Sequence, residues 1–503
     1  MSEQPFVSVI TLNYNGRDFI KDCLDSVLRS DYPAFEIIIL DNASTDNSYE
    51  LLKKDYGQNP LVKIIRSDNQ LYFAGGNNFA ERQARGKRLV FLNSDVVVEK
   101  NWLKELVNFS EGNPKWLVQP KILFHDRKNV IDNVGGRYVF PGFGFGIGRG
   151  QKDIGQYEKP ARIDFANGTC FLIDKNFFEK LGGFDNWYRF HYEDVDLNLR
   201  AKKQGGESWF CPQSIIFHRG SLTIKKEVKK DELLFQVRKN CLRTIFKNFK
   251  GWERMARILT LLSFWFALAL RDLLKSERRK AFLTWKSLWA VLNREHNLLI
   301  ERVRFGELKK EVGDNHFSLL DLGCGEGTFL DIAKEAGNSA LGVDSLSSSR
   351  SDVIVSSIEN LSLEQKFDAV TLFHVLEHSP NPQRTLAIAG SFLKENGVLA
   401  IEIPLVGNLT EKFLAKDYFA YQDSSHCQFF SQREFNRLLE SAGFKRERKG
   451  LTLLIFPLTV LTTAFRQNFL KGLLAIIIFP LLKLLTILGF NEEVIRVYCK
   501  KYG

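Results

Sequence analysis

The fold of the N-terminal half is decided by the stretch Val7-Ser8-Val9-Ile10-Thr11-Leu12-Asn13-Tyr14-Asn15, an apolar run that ends in polar residues. Further apolar runs lie at 36–40, 62–65 and 88–92, and they alternate with helical patterns such as the one at 18–30. This β-α-β rhythm predicts a mostly parallel sheet with helices on both faces. Ligands of such sheets bind beyond the carboxyl ends of the strands, which is where the polar residues stand.

Carboxylates and one histidine of residues 1–220 match the needs of sugar transfer from a nucleoside diphosphate. That reaction uses a divalent cation held by hard ligands and a base for the acceptor hydroxyl. Asp41 and Asp95 follow predicted strands, Glu193 and Asp194 begin a helix, and His218 lies in the next apolar run. Singly, each has an ordinary structural explanation as a cap, a turn residue or a dipole partner. Together they predict a site.

At this point the N-terminal region resembles the family 2 inverting glycosyltransferases of GT-A fold, in their rhamnosyltransferase-like and galactofuranosyltransferase-like branch. The likeness covers about the first 240 residues. It is carried by residues 7–15, Leu40-Asp41-Asn42-Ala43-Ser44-Thr45-Asp46, Gly75-Gly76-Asn77-Asn78, Leu92-Asn93-Ser94-Asp95, Gly182-Gly183-Phe184-Asp185 and Tyr192-Glu193-Asp194-Val195-Asp196-Leu197.

The resemblance implies a nucleotide-sugar site with a divalent cation, Mg²⁺ or Mn²⁺. Asp95 would be the last carboxylate of the metal-binding DxD-type motif, and His218 would be a further metal ligand. Asn93 departs from the motif, whose first position is an Asp, so a site with less negative charge is expected to bind metal more weakly. The donor would be bound by Thr11, Asn13, Asp41, Asn69 and Ser94.

The same resemblance implies the catalytic roles. Asp194 would be the base that deprotonates the acceptor hydroxyl, with Glu193 beside it as a second catalytic carboxylate.

Residues 221–310 are helical in pattern, basic and apolar. Thirteen uncharged residues, 258–270, lie between Arg257 and Arg271. A helix needs about 20 apolar residues to span a bilayer core, so this run is too short. Basic flanks around an apolar, Trp-containing centre predict an interfacial helix on an anionic leaflet, and a buried helix that packs the domains together is the alternative. Residues 451–490 form a second apolar segment, for which an interfacial hairpin is preferred over a re-entrant pair of helices.

A glycine loop opens the C-terminal half, in Leu319-Leu320-Asp321-Leu322-Gly323-Cys324-Gly325-Glu326-Gly327. Glycines at a strand-to-helix turn let the backbone approach a ligand closely. Asp344 ends the next predicted strand, the usual place for an acid that binds ribose hydroxyls. The spacing is not that of a dinucleotide loop, and Phe367-Asp368-Ala369-Val370-Thr371-Leu372-Phe373-His374-Val375-Leu376-Glu377-His378 follows.

Residues 318–444 resemble the class I S-adenosylmethionine-dependent methyltransferases that carry a Leu-Glu-His motif. The resemblance implies that Asp321, Gly323 and Gly325 cradle the amino-acid part of S-adenosylmethionine, that Asp344 binds its ribose and that Ser357 lies near its adenine. His378 is the first candidate for the base, followed by His374 and His426. A structural role for His374 and His378 is an equal alternative. The stretch 491–499 is predicted as the last strand of this domain.

These patterns predict an α/β chain of three parts: a Rossmann-like GT-A domain at 1–225, a helical, membrane-associated linker at 226–312, and a Rossmann-like class I methyltransferase domain at 313–503 with the apolar insertion at 451–490. A net charge of +11 favours an anionic partner,. Seven scattered Cys without a CxxC pair, and the absence of a signal peptide, favour the reducing cytosol,.

The expected function is bifunctional: transfer of a sugar to a lipid-linked saccharide and O-methylation of a sugar hydroxyl in bacterial surface-polysaccharide assembly. The enzyme would work at an anionic membrane surface, on the inner face of the plasma membrane. Two alternatives remain. One is a membrane-bound methyltransferase whose first domain binds nucleotide-sugar but transfers weakly, as Asn93 allows. The other is a nucleic-acid methyltransferase; no nucleic acid is expected as partner, because no stacking or basic-channel motif accompanies the charge.

Overall fold

The computed structural model describes residues 4–220, 229–275, 278–314, 316–345, 350, 352–450 and 494–501. The chain divides into two compact units, Met1–Val291 and Leu292–Gly503. The predicted domain boundaries at 225 and 312 therefore differ from the boundary between the two compact units, which lies after Val291. The reason is that the helix after residue 229 packs into the core of the first unit.

The first unit is built on a ten-stranded mixed sheet. Its strand order is β10-β12-β6-β11-β4-β1-β2-β3, with β5 paired to β12 and β7 paired to β6, and a separate hairpin joins β8 to β9. The strands are β1 (Val7–Asn13), β2 (Phe35–Asn42), β3 (Val62–Ser67), β4 (Arg88–Asn93), β5 (Val96–Val98), β6 (Trp116–Phe124), β7 (Ile131–Asn133), β8 (Gly136–Val139), β9 (Phe143–Gly146), β10 (Ala161–Ile163), β11 (Cys170–Asp174) and β12 (Glu207–His218).

Helices cover both faces of this sheet, as predicted. They are α1 (Ile20–Leu28), α2 (Ser48–Tyr56), α3 (Tyr72–Glu81), α4 (Trp102–Ser110), α5 (Lys175–Lys180) and α6 (Glu193–Lys203). Alternate residues of β1 enter opposite cores: Val9 packs in the cluster with α1 and α4, whereas Ile10 packs with Phe91 and the helices of the other face. This two-residue period is what a central strand buried on both faces requires.

The four predicted strands of the parallel half are confirmed as β1 to β4, and β1 pairs in parallel with both β2 and β4. The helix predicted at 18–30 is shorter, Ile20–Leu28, because a turn precedes it in which the Phe19 and Ile20 N–H groups both bond to the Gly16 carbonyl.

The middle segment is helical, as predicted, in α7 (Lys230–Asn248), α8 (Gly251–Leu274) and α9 (Arg278–Val312). Charge pairs hold α7 to the first unit: the Lys247 ammonium lies 2.8 Å from Asp185 and 2.9 Å from the buried Asp196, and the Asn248 amide donates to Asp196 at 2.8 Å. Within the described part of the chain, we find no helix whose length and hydropathy would let it cross a membrane.

The second unit contains a seven-stranded sheet of order β15-β14-β13-β16-β17-β19-β18. All pairings are parallel except those of β19, which lies antiparallel between β17 and β18. The strands are β13 (Ser318–Leu322), β14 (Ser339–Asp344), β15 (Val353–Val355), β16 (Phe367–Phe373), β17 (Leu393–Pro404), β18 (Phe444–Lys449) and β19 (Val494–Lys501).

Its helices are α10 (Thr328–Glu335), α11 (Pro382–Ser391), α12 (Leu409–Leu414), α13 (Phe419–Gln422) and α14 (Gln432–Ser441), with single 3₁₀ turns at Ile358–Asn360, Leu376–His378 and Ala415–Asp417. The predicted final strand is confirmed as β19. The apolar insertion at 451–490 lies outside the described residues.

Candidate active sites

The first unit encloses a cavity of about 850 Å³ at the carboxyl end of β4. Its wall combines the Asn93-Ser94-Asp95 stretch, the loop at 167–169, the start of α6 and residues of α7. The predicted site residues Ser94, Asp95, Glu193, Asp194 and His218 all line it, so residues up to 124 positions apart in the chain meet at one place.

His218, the last residue of β12, is clamped between two buried carboxylates. Its Nε2 lies 3.3 Å from Asp95 Oδ1 and its Nδ1 lies 2.5 Å from Asp132 Oδ2. Burial alone would lower the pKa of His218, but the hydrogen bonds to Asp132 and Asp95 raise it to about 9. Asp132 thus fixes the imidazole with Nε2 toward Asp95, the arrangement by which a carboxylate orients a metal-binding histidine. The residues therefore fit a divalent cation, which Asp95 and His218 would hold once the ion displaces the Nε2 proton of His218.

Asp132 is a site residue that the sequence does not predict. It lies on the three-residue strand β7, where nothing in the local pattern marks a site. Only the pairing of β7 with β6, and of β6 with β12, brings it to His218.

Asp194 lies at the second position of α6, and backbone amides hold its carboxylate. Its Oδ2 accepts from the Gly168 N–H at 2.9 Å and its Oδ1 from the Val195 N–H at 2.8 Å. Burial raises the pKa of Asp194, although those N–H bonds act in the opposite direction. Burial, and then the charge of Asp194, raise the pKa of Glu193 further. The pair therefore ionises stepwise, and Asp194 is the member held ready as a base.

The backbone before Asp194 is strained. His191 and Tyr192 both have positive φ, 64° and 73°, a conformation that costs non-glycine residues free energy,. Asn240 of α7 holds this turn, because its amide donates to the Phe190 carbonyl at 2.9 Å and to the His191 carbonyl at 2.8 Å. The helix that follows the predicted first domain is thus part of its site.

The residues predicted to bind the donor nucleotide do not all line the cavity. Ser94 lines the cavity. Thr11, Asn13 and Asp41 are buried and do not line it, and the Asn13 amide donates to Asp41 Oδ1 at 2.8 Å. Asn69 is exposed in the loop after β3 and does not line the cavity, whereas its neighbour Gln70 does. The structure therefore brings only part of this predicted set together.

Basic side chains also face the cavity. Arg149, Arg189 and Lys229 line it, and the Arg149 guanidinium lies 3.5 Å from Asp132 Oδ1. The Arg189 guanidinium stacks over the Tyr72 ring at 4.9 Å. Cations beside a carboxylate-rich pocket suit a ligand that carries phosphate charge.

In the second unit, the glycine loop joins β13 to α10 with three positive φ angles, at Gly323, Gly325 and Gly327. A Cβ on Gly323 would lie 2.5 Å from Val375, so the loop packs directly on the turn that follows β16. A Cβ on Gly325 would meet no atom within 4 Å. Its backbone is open to a ligand, as the predicted cofactor loop requires.

The acids predicted to bind the cofactor surround this loop. Asp344 ends β14 and accepts from the Gly325 N–H at 2.8 Å. Asp321 is buried at the end of β13; burial raises its pKa to about 7, although the Thr371 hydroxyl, which donates at 2.6 Å, opposes the rise. Ser357 follows β15, whose Val355 pairs with Asp344. The predicted set is thus gathered at one sheet edge and fits S-adenosylmethionine.

The three candidate histidines of this unit differ in their surroundings. His374 is bonded on both ring nitrogens, to Glu377 at 3.1 Å and to Glu402 at 2.9 Å. Burial would lower its pKa, but these two carboxylates raise it to about 9, so the imidazole carries a proton at neutral pH. His374 is therefore a structural cation that holds the turn rather than a base. His378 and His426 face each other, with ring centroids 4.6 Å apart.

Two transferase sites thus lie on one chain, and comparisons with known proteins agree. Residues 8–182 match the model of glycosyl transferase family 2, and residues 256–448 match that of a methyltransferase domain. The chain belongs to glycosyl transferase family 2 and carries, after that mixed α/β, GT-A-like domain, a methyltransferase domain. Both expectations are confirmed.

Similar proteins include an O-antigen biosynthesis protein RfbC of Myxococcus xanthus, 30% identical over 43% of this chain and 17% of its own length. The glycosyltransferase AglE of Haloferax volcanii is 30% identical over 43% of this chain and 68% of its own. TuaG of Bacillus subtilis, a putative teichuronic acid biosynthesis glycosyltransferase, is 34% identical over 21% of this chain and 42% of its own. The chain thus spans less than half of RfbC and of TuaG.

Among solved structures, GalNAc-T7 with UDP, GalNAc and Mn²⁺ has a TM-score of 0.42 at 20% identity, covering 49% of this chain and 48% of that one. The mannosyltransferase PcManGT of Pyrobaculum calidifontis, in complex with GDP-Man and Mn²⁺, has a TM-score of 0.38 at 16% identity, covering 58% and 76%.

The raised pKa of Asp321 generates a prediction for cofactor binding. A carboxyl group with a pKa of about 7 is neutral below that pH and cannot attract the ammonium of S-adenosylmethionine,. We expect affinity to rise by roughly tenfold between about pH 6 and pH 8, since a charged partner strengthens a hydrogen bond by about 1 to 2 kcal/mol. Calorimetric titration at constant ionic strength measures it.

The control is Asp321→Asn, which keeps the shape but cannot ionise. It should bind more weakly at high pH, and its affinity should vary less with pH than that of the wild type. Identical pH profiles for the two proteins would contradict the assignment.

Proposed function

We propose that this chain is a bifunctional enzyme of bacterial cell-surface polysaccharide biosynthesis, of the O-antigen or capsule type. The first unit transfers a sugar from a nucleotide-sugar to a lipid-linked saccharide, and the second O-methylates a sugar hydroxyl. The observation that carries the first reaction is the meeting of Asp194 with Asp95 and His218 around one cavity. RfbC and TuaG, whose names refer to O-antigen and teichuronic acid biosynthesis, support the polysaccharide context.

In the first reaction, Asp194 accepts the proton of the acceptor hydroxyl. The hydroxyl oxygen then attacks the anomeric carbon from the face opposite the diphosphate, so the C–O bond to the diphosphate breaks and the configuration inverts. The raised pKa of Asp194 makes its carboxylate a stronger base than an exposed one,. A cation held by Asp95 and His218 would offset the charge of the departing diphosphate, and Arg149 adds a permanent positive charge on the same wall,.

In the second reaction, S-adenosylmethionine supplies an electrophilic methyl group. The residues around Gly325 would hold the cofactor, with Asp321 binding its amino-acid part and Asp344 its ribose. The hydroxyl oxygen of the sugar would take the methyl group from sulfur as the C–S bond breaks. The proton leaves toward the His378–His426 pair, of which His378 is the predicted base. His374 has no part in this step, because both of its ring nitrogens are bonded to carboxylates.

We further propose that the chain is cytoplasmic and lies on the inner face of the plasma membrane. The outward face of α8 supports this, because Trp252, Phe266 and Leu274 are 79%, 64% and 80% exposed. The β8–β9 hairpin adds the exposed Phe140 and Phe145. Exposed basic residues lie at the two ends of α8, where they can meet an anionic lipid surface: Lys250, Arg271 and Lys275,.

A donor screen tests the proposal as a whole. The full chain is incubated with UDP-, GDP- or dTDP-sugars and a lipid-saccharide extract, with and without S-adenosylmethionine, and the products are analysed by mass. We expect one donor to add a glycosyl mass, and the methyl mass to appear only with the cofactor. Removal of divalent cations should suppress the sugar transfer. If the methyl mass appeared but none of the donors gave a glycosyl mass, the alternative would be favoured in which the first unit only binds its nucleotide.

For Asp194, we predict that Asp194→Asn lowers kcat for sugar transfer by roughly 10² to 10⁴, the usual contribution of a general base. In the wild type, kcat/KM should rise with pH through an apparent pKa above the ordinary aspartate value of about 4. The reason is that Asp194, whose pKa is raised, stays protonated and inactive as a base at lower pH,.

The matched control is Asp174→Asn, which changes a carboxylate that caps α5 outside the cavity. Asn caps a helix as well as Asp does, so activity should persist. Equal activity of wild type and Asp194→Asn would refute the assigned base.

For the membrane surface, we predict that Trp252→Ser with Phe266→Ser weakens binding to vesicles of anionic lipid by at least about tenfold, since each large apolar side chain contributes about 1.5 to 3 kcal/mol on burial. Sedimentation with vesicles measures this. Ile154→Ser, at an 82% exposed site elsewhere on the first unit, is the control and should bind normally. If the double variant sediments like wild type, α8 does not face the lipid.

A further inference from the structure

Three residues of the second unit form a cluster that no part of the proposed reactions uses as a whole. Glu377, His378 and His426 each place one possible ligand atom so that all three atoms lie within 4.8 Å of one another. Glu377 and His378 belong to the turn Leu376–His378 after β16, and His426 lies in the loop after α13. The Glu377 carbonyl accepts from the N–H groups of Cys427 and Gln428, which fixes the two segments side by side.

The carboxylate of Glu377 is poised to bind a ligand. The residue is 1% exposed, and its Oε1 accepts from His374 at 3.1 Å. Its Oε2 is buried and has no hydrogen-bond partner in the described part of the chain. An unpaired buried carboxylate oxygen is costly, so its retention beside two imidazoles calls for a ligand that is positively charged.

The two imidazoles are oriented by neighbours, as metal-binding histidines are. His426 Nδ1 lies 2.7 Å from the Ala420 carbonyl, so this nitrogen carries the proton and Nε2 keeps its lone pair for a ligand,. His378 Nδ1 lies 3.0 Å from the Ser425 hydroxyl. Asp423, half exposed, has an oxygen 3.9 Å from His426 Nε2 and adds negative charge beside the cluster.

We propose that Glu377, His378 and His426 bind a divalent first-row transition metal ion. Two imidazoles and one carboxylate favour ions such as Zn²⁺, Co²⁺, Fe²⁺ or Mn²⁺ over Mg²⁺ and Ca²⁺, which prefer oxygen ligands alone. Three protein ligands leave coordination positions open, as in catalytic rather than structural metal sites.

The position of the cluster indicates what the ion does. It follows β16, the parallel neighbour of β13, and Val375 of the same turn packs on Gly323 of the cofactor loop. The ion therefore lies beside the place where a methyl acceptor meets S-adenosylmethionine. A sugar hydroxyl bound to it would lose its proton to solvent more easily, and its oxygen would then bond to the methyl carbon as the C–S bond breaks. His378 would hold the ion instead of accepting the proton. This catalytic role rests on the proposed O-methylation, whereas ion binding does not.

The test is Co²⁺ binding to the full chain, followed by its visible absorption and by calorimetry. All proteins carry His218→Ala, which removes the proposed cation site of the first unit. We expect one Co²⁺ per chain with the absorption of imidazole coordination. Adding His426→Ala or His378→Ala should weaken binding by at least about a hundredfold, since loss of an outer-shell partner alone costs about ten- to a hundredfold.

The matched control is His316→Ala, which removes another imidazole of the same unit outside the cluster. It should leave Co²⁺ binding unchanged, and S-adenosylmethionine binding reports that each variant is folded. His378 is exposed, so its replacement carries little risk to folding. The inference is overturned if His378→Ala and His426→Ala bind Co²⁺ as the His218→Ala background does, or if that background shows no imidazole-coordinated Co²⁺.

The outcomes also separate this inference from the proposed function. Co²⁺ binding that depends on His426, without methyl transfer to any saccharide, would keep the metal site and reject the O-methylation. Methyl transfer that proceeds in the presence of a strong chelator, in a protein that does not bind Co²⁺, would keep the O-methylation and reject the metal site.

Discussion

Parallel strands bring their carboxyl ends to one edge of a sheet, and both sites of this chain depend on that constraint. In the first unit, β4 delivers Asn93 and, just beyond it, Asp95 to the cavity. In the second unit, Asp321 is the penultimate residue of β13, Asp344 is the last residue of β14, and the histidine turn follows β16. Strand ends therefore anchor both sites, and helix starts and loops add further residues such as Asp194 and His426.

Both units use the same electrostatic device, a histidine held between two carboxylates. His218 lies between Asp95 and Asp132, and His374 lies between Glu377 and Glu402. In each case the carboxylates outweigh burial and raise the imidazole pKa to about 9. The difference lies in access: His218 borders a cavity that can admit a cation, whereas His374 fixes the turn from which Glu377 and His378 project.

Much of the fold could be predicted from local patterns, because an apolar run indicates a buried strand or helix and a glycine cluster indicates a turn at the same residues. The strands β1 to β4, the cofactor loop and the helical middle segment were predictable for this reason. Asp132 and Asn240 were not, since each acts on residues at least 49 positions away and no local signal marks it. The burial of Thr11, Asn13 and Asp41 away from the cavity lining also depends on packing. Their site roles, inferred by resemblance, stay predictions.

The central claim is that one chain carries two independent transferase sites. Its most direct test is the mass of the saccharide product made by full-length Asp194→Asn and by full-length Asp321→Asn, each supplied with nucleotide-sugar and S-adenosylmethionine. We expect Asp321→Asn to add the sugar normally but, with S-adenosylmethionine held near the wild-type dissociation constant, to add far fewer methyl groups. We expect Asp194→Asn to lose sugar addition yet still to methylate a saccharide that already carries the sugar. If either variant abolished both mass increments while remaining folded, the two activities would share one site and the account would be wrong.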